Sequence, residues 1–199
     1  MKKAILLSGG IDSTSVAYLH KAEISLAVTV DYGQKAALTE VEVSQRFCQL
    51  LSIQHEVIKV DCSSLGSGQM APHLFMNFSE PVSEWWPFRN QLIITLAAIK
   101  LYQYKIETLL IGSVKSDKRF RDGSKIFFRT LSKCLALQEG GITLETPAIK
   151  MSSAQLVIES KIPDKLLLWT HSCHTSNNPC GNCNGCRKYF QVMKKLGIN

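Results

Sequence analysis

The chain has 199 residues, 45% of them hydrophobic and 20% charged, which is enough for one sizeable domain with a core of its own. A formal net charge of +7 suits an anionic partner such as ATP, an acidic small molecule or RNA, although the charges are scattered and form no long Lys/Arg block. No apolar run approaches the roughly 20 residues of a membrane span, and the apolar stretch in MKKAILLSGG is too short for a signal peptide, so a cytoplasmic protein without a membrane partner is expected.

Short apolar runs alternate with helix-like segments along the chain. They predict a strand at 4–7, a helix at 12–22, a strand at 25–31, an amphipathic helix over about 35–52 and a strand near 55–60. In the second helix Leu38, Val41, Phe47, Cys48 and Leu51 are expected to face the core. This β-α-β-α-β order predicts an α/β fold, a doubly wound parallel sheet of Rossmann-like type. Residues 61–88 show no period and read as a long loop of the kind that forms lids, ending in Trp85, Trp86 and Phe88. Those aromatics suit either stacking on a flat heterocycle or plugging the core. A helix follows from Asn90 to Tyr104, with Leu92, Leu96, Ile99 and Gln103 on one stripe. A buried strand at 108–113, a polar loop, a helix at 125–138, a short strand at 142–147 stopped by Pro147, and a helix at 152–161 complete the pattern.

In sheets of this kind ligands sit outside the carboxyl ends of the strands. Two loops would lie there: Ser8, Gly9, Gly10, Asp12 and Ser13 after the first strand, and Asp31, Tyr32, Gly33 and Gln34 after the second. Adjacent glycines let the backbone approach a ligand closely. The first-turn N–H groups of the following helix have no intrahelical partner and form an anion cradle. A carboxylate repels phosphate, so Asp12 makes sense when a divalent cation, Mg2+ with ATP, sits between them. Neither GxGxxG nor GxxxxGK[ST] is present. SGGxDS instead resembles the pyrophosphate loop of the N-type ATP pyrophosphatases, which cut ATP to AMP and pyrophosphate.

Of seven cysteines, Cys48, Cys62 and Cys134 stand alone, while Cys173, Cys180, Cys183 and Cys186 lie close together near the end of the chain. In a cytosolic chain that spacing reads as a metal site rather than as disulfides. Four thiolates suit structural tetrahedral Zn2+ at about 2.3 Å per bond; an iron–sulfur cluster is the other metal reading. His171 and His174 are the nearby competing ligands. The economical division is residues 1–170 as a nucleotide-binding α/β domain and 171–199 as a four-cysteine zinc-binding segment with a C-terminal helix.

SGGxDS at the start and CGxCxxC at the end enclose DYGQ (31–34), Arg89-Asn90, Gly112-Ser113 and ETP (145–147) in order. This set resembles the QueC family, the 7-cyano-7-deazaguanine synthases, over nearly the whole chain. The resemblance implies an adenine nucleotide alpha hydrolase-like fold and a ligase of queuosine-type biosynthesis. Its substrates would be 7-carboxy-7-deazaguanine, ATP and ammonia, with a homodimer as the expected assembly and no direct nucleic-acid partner. ATP adenylates the carboxylate, ammonia displaces AMP to give the amide, and a second ATP drives dehydration to the nitrile. It places Ser8, Gly9, Gly10, Asp12 and Ser13 on pyrophosphate, Asp31, Tyr32, Gly33 and Gln34 on the nucleotide rim, and the four cysteines on zinc. Asp12 acts through magnesium, and Arg89 faces a phosphate or the substrate carboxylate. Asn90 accompanies Arg89, and Asp117 and Asp122 are candidates for the guanine-like edge.

The sequence also departs from the family. Phe88 replaces the glycine of PGRN, Lys35-Ala36 replaces a basic-His pair, and the 120–124 stretch keeps only Asp122 of a YPDCR-like loop. After Thr146-Pro147, Ser153-Ala154-Gln155 stands where members usually carry Lys-Ala-Glu. The ATP and zinc halves are thus kept while the acceptor half is altered. That leaves room for a ligase that stops at the amide or joins the deazapurine acid to another amine, such as a protein N-terminus in a defence system. A tRNA-thiolating relative would need a cysteine near the ATP site, for which Cys134 is a poor candidate, and a non-catalytic ATP-binding partner subunit would have no use for Asp12.

Overall fold

Five parallel strands carry the fold, in the order β3-β2-β1-β4-β5. They are β1 (Lys3–Leu6), β2 (Ile24–Asp31), β3 (Gln54–Lys59), β4 (Thr108–Ile111) and β5 (Thr143–Glu145). The computed structural model describes residues 2–72, 84 and 86–198. Trp85, His73 and the middle of the expected lid, residues 73–83, lie outside the described residues.

Strands covered on both faces need no polar side, and the sequences of β1, β2 and β4 are correspondingly near-continuous apolar runs. Ala4 of β1 sits opposite Leu26 of β2 and Leu109 of β4, and all three are buried. One face of the sheet is covered by α3 (Arg89–Gln103) and α4 (Lys125–Ala136), whose Ile94, Ala97, Leu101, Phe128 and Leu131 pack with Leu26 and Val28. The other is covered by α1 (Ile11–Leu19), α2 (Ala37–Leu51), α5 (Ser153–Ser160) and α7 (Asn184–Leu196), with Val16, Phe47, Leu156, Val192 and Met193 packed around Ile5 and Leu7. α5 is capped at its end by Lys161 in the left-handed conformation, and a further turn of helix, α6 (Asp164–Leu167), follows Pro163 as its N-cap. Because Val192 and Met193 share the core of the sheet, the segment carrying the cysteines is anchored to the body at its far end.

Helix faces differ from the sequence reading at named places. Phe47 and Cys48 are buried as expected, but Leu38 is 60% exposed. In α3 the buried stripe is Ile94, Ala97, Ala98 and Leu101, while Ile99 faces out. These positions follow the helical i, i+3, i+4, i+7 period; the two alanines let the helix lie close to the sheet, and leucines at 92 and 96 only flank the contact. Trp86 is a core plug, its ring edge-on to Tyr32 at 4.9 Å, and a side chain on Gly66 would strike that indole. Phe88 is 77% exposed.

Candidate active site

A cleft of about 940 Å³ opens above the carboxyl ends of β1 and β4. This is the point where the strand order reverses, the usual ligand position in open α/β sheets. Its size is at the upper end of ordinary ligand sites, with room for a nucleotide and a second small molecule.

The floor is the turn from β1 into α1. Gly9 adopts φ +69°, and a side chain there would press on Glu40 and Val43 of α2. Gly10 is the N-cap of α1 and gives it no side-chain cap, so its first-turn amides depend on partners from outside the helix. Ser8 and Ser13 hydroxyls are 3.1 Å apart, and Ser13 also donates to the Gly10 carbonyl. From β4, Gly112 comes so close to α1 that a Cβ would lie 2.5 Å from the Ser13 Cα. The glycine in the Gly112-Ser113 pair is therefore what lets the two strand ends converge.

Asp12 and Lys188 form the electrostatic centre. One Asp12 oxygen accepts from Lys188 Nζ, and the other is buried without a hydrogen-bond partner among the described residues. Lys188 Nζ also lies 3.6 Å from Asp117. Burial, the largest influence, pushes the Asp12 carboxyl above its ordinary range against the opposing Lys188 charge. Burial also pulls at the Lys188 ammonium, but the Asp12 and Asp117 charges outweigh it and hold its pKa up. The partnerless Asp12 oxygen beside a cradle of backbone amides fits a hard divalent cation carried in with a triphosphate.

Other predicted residues divide by what they touch. Tyr32 lines the cleft beneath Trp86. Asp31 accepts from the Gly33 N–H, and Gln34 is turned inward to the Tyr32 N–H, the Val30 carbonyl and Glu40, so these three shape the turn. Gly33 adopts φ +92° against Ser63. Arg89 lines the cleft next to Tyr32 and donates to the Met70 sulfur. Asp122 accepts the Asn90 N–H at 3.0 Å while the Asn90 amide donates to the Asp122 carbonyl, so this pair ties the 121–123 turn to the start of α3. Asp117 accepts from Ser113 and the Val114 N–H and turns its other oxygen toward Lys188.

Sequence reasoning missed Lys188, Glu40 and the Glu84 junction. Glu40 lines the cleft wall, and burial raises its carboxyl to about 7 despite the Gln34 bond and the Arg89 charge. Glu84 binds Arg119 and the Asn184 amide, joining the loop after β4 to the start of α7. None of these carries a sequence motif.

The sulfur atoms of Cys173, Cys180, Cys183 and Cys186 all lie within 4.8 Å of one another. Tetrahedral bonds of about 2.3 Å put sulfurs roughly 3.8 Å apart, and two of the pairs stand at 3.9 and 4.0 Å. The set fits one metal ion and is too tight to surround a four-iron cube. Backbone N–H groups of His174 and Cys186 point to the Cys183 sulfur and that of Cys183 to the Cys180 sulfur, which suits thiolates. His171 instead bonds the Ser176 carbonyl. The cluster reaches the β1–α1 turn through its neighbours: the His171 N–H donates to the Gly9 carbonyl at 2.9 Å, and the Ser172 hydroxyl accepts from the Ile11 N–H. Cys48 and Cys62 are buried in the core and Cys134 is exposed on α4. No helix among the described residues is long and apolar enough to cross a membrane.

Residues 2–197 match the family model described as queuosine biosynthesis protein QueC. Curated relatives include 7-cyano-7-deazaguanine synthases of Methanosarcina barkeri (27% identical, covering 100% of this chain and 96% of the relative), Methanocaldococcus jannaschii (28%, 100% and 97%) and Methanobrevibacter smithii (29%, 99% and 95%). Among solved structures, one described as a predicted subunit of tRNA methyltransferase from Methanocaldococcus jannaschii superposes with a TM-score of 0.53 at 17% identity, covering 100% of this chain and 90% of that one. NMN synthetase from Francisella tularensis also gives 0.53, at 14% identity, covering 98% and 76%. These two likenesses are likenesses of fold.

Proposed function

The chain belongs to the QueC family, and on that premise we propose that it is an AMP-forming ligase that makes 7-cyano-7-deazaguanine from 7-carboxy-7-deazaguanine, ATP and ammonia. The observation that carries this reading is the turn from β1 into α1: a helix N-terminus whose glycine N-cap offers no side chain, two glycines and a buried carboxylate oxygen with no partner among the described residues, together at the β1–β4 switch point.

The triphosphate lies on the Gly9–Ser13 turn, with Ser8 and Ser13 hydroxyls donating to it. Asp12 would hold Mg2+, which would offset phosphate charge. Arg89 pairs with the carboxylate of the deazapurine and aims it at the α-phosphorus. A carboxylate oxygen forms the new bond to that phosphorus, the bond to the bridging oxygen breaks, and pyrophosphate leaves with the electron pair. Ammonia then attacks the acyl carbon, AMP leaves, and the amine sheds a proton to give the amide. A second ATP adenylates the amide oxygen, and loss of AMP with the remaining amide protons leaves the nitrile. Asp117 is the carboxylate within the cleft for the purine N–H edge, and Asp122 acts by holding Asn90. Zn2+ at the four cysteines is structural: with every coordination position taken by sulfur, none is open for chemistry.

Incubation with ATP, Mg2+, ammonium and the deazapurine acid should release two AMP per nitrile formed, read by chromatography and mass spectrometry. Release of ADP, or no release above background, rejects the assignment. A product that stops at the amide, or a conjugate to a protein amine, selects the altered ligase instead.

A further inference from the structure

In the sequence the resemblance to the family breaks at Ser153, which stands where members usually carry a lysine. In the structure Ser153 is buried at the first turn of α5 and lines the cleft with Asp12. A lysine rooted there would put its ammonium among the phosphates. The chain supplies an ammonium to that same place by another route. Lys188, two residues past the last cysteine, reaches back across the cleft from α7, and its Nζ contacts both Asp12 and Asp117.

We propose that Lys188 is a catalytic residue of this chain, taking over at the pyrophosphate the role left vacant at Ser153. The proposal rests on the adenylation reading above.

Two carboxylates around one ammonium make a site that a cation can share. Asp12 would be the residue to hold a magnesium ion brought in with the triphosphate, and its carboxylate would then be shared with the metal. The Lys188 ammonium, largely shielded from water, then needs a new anionic partner, and the phosphate oxygens on the Gly9–Ser13 turn lie beside it. As the bond from the α-phosphorus to the bridging oxygen breaks, the electron pair passes to pyrophosphate. A fixed ammonium there stabilises charge that grows in the transition state, with no proton transfer required. Asp117 keeps the lysine aimed before ATP arrives.

The test uses the full chain with its metal. Lys188→Met should lower pyrophosphate release by about 100-fold, the loss seen when one transition-state donor is removed. It should also weaken Mg·ATP binding in calorimetry. Adding Ser153→Lys to Lys188→Met should recover at least about a tenth of wild-type activity, because the second lysine faces the same phosphates. Where the single variant melts too early to assay, the double variant carries the comparison. Wild-type pyrophosphate release by Lys188→Met, or no recovery in a folded double variant, overturns the proposal while leaving the family activity in place. A wild-type protein that releases no pyrophosphate sinks the adenylation reading. Calorimetry then still decides Lys188: Mg·ATP affinity unchanged on Lys188→Met overturns its role at the phosphates.

Discussion

Glu40 carries a pH dependence that can be read from its surroundings. Burial against the phosphate turn is the largest influence on it, opposed by the Gln34 hydrogen bond and the Arg89 charge, and its pKa rises from 4.5 to about 7. Between those values the folded protein keeps a proton that the unfolded chain has released. Stability from this group is therefore complete below about pH 4.5, falls as pH rises, and levels off above about 7. Each tenfold difference in proton affinity between the folded and unfolded chain is worth ~1.4 kcal/mol. Glu40 lines an open cleft, so water softens the effect to about 1–2 kcal/mol across the window. Glu40→Gln keeps an oxygen for Gln34 and removes the titration. Urea denaturation at about pH 5 and pH 7.5 should show wild-type stability dropping while the variant stays level. Parallel drops in both proteins would place the titrating group elsewhere.

At the scale of elements, the turn into α3 sets a bulky residue in a conformation that favours glycine. Phe88 adopts φ +56°, the left-handed region where a glycine sits without strain, and its ring is 77% exposed. The turn thus has a backbone that glycine would adopt freely while carrying a bulky residue in it. The left-handed conformation costs a non-glycine residue roughly 1–2 kcal/mol, and replacing it by glycine returns about 0.4–1 kcal/mol of that through the freer unfolded chain. Phe88→Gly should therefore stabilise the protein by about 0.5–1 kcal/mol, read as a melting temperature higher by a few degrees. A lower melting temperature would show that the exposed ring packs on something after all. What was legible in the sequence follows the same logic of local causes. Apolar runs between glycines announced β1 and β4, SGGxDS announced the tight turn between β1 and α1, and cysteine spacing announced the four-sulfur cluster, because each is set by neighbours in the chain. The face of α3 escapes the sequence because small Ala97 and Ala98, not leucines, set its approach to the sheet. Lys188 was invisible because its contact with Asp12 spans 176 positions and a single lysine on a polar helix face has no pattern. Asp122 stands out in the sequence by motif position alone; its bond to the Asn90 N–H depends on how two turns meet.

Across the whole molecule, the two ends of the chain build one site. The β1–α1 turn belongs to the start of the chain, yet His171 holds the Gly9 carbonyl, Ser172 holds the Ile11 N–H and Lys188 holds Asp12. All three lie on either side of the four cysteines, so a metal held by them would set the distance between the clamp on the turn and the helix that carries the lysine. Stripping it leaves α7 docked by Val192 and Met193, which lie in the main core, while the segment from 171 to 186 loses its cross-link. Removal of the metal by a strong chelator should therefore lower the melting temperature by roughly 10 °C without unfolding the sheet. It should weaken Mg·ATP binding to a greater degree than it changes far-ultraviolet circular dichroism. Zinc added back should restore both, and Cys183→Ser should behave like the stripped protein. A chelated protein that binds Mg·ATP as tightly as the metal-loaded one would separate the cysteine cluster from the phosphate turn, and the hydrogen bonds from His171 and Ser172 would then be sufficient to hold the loop without it.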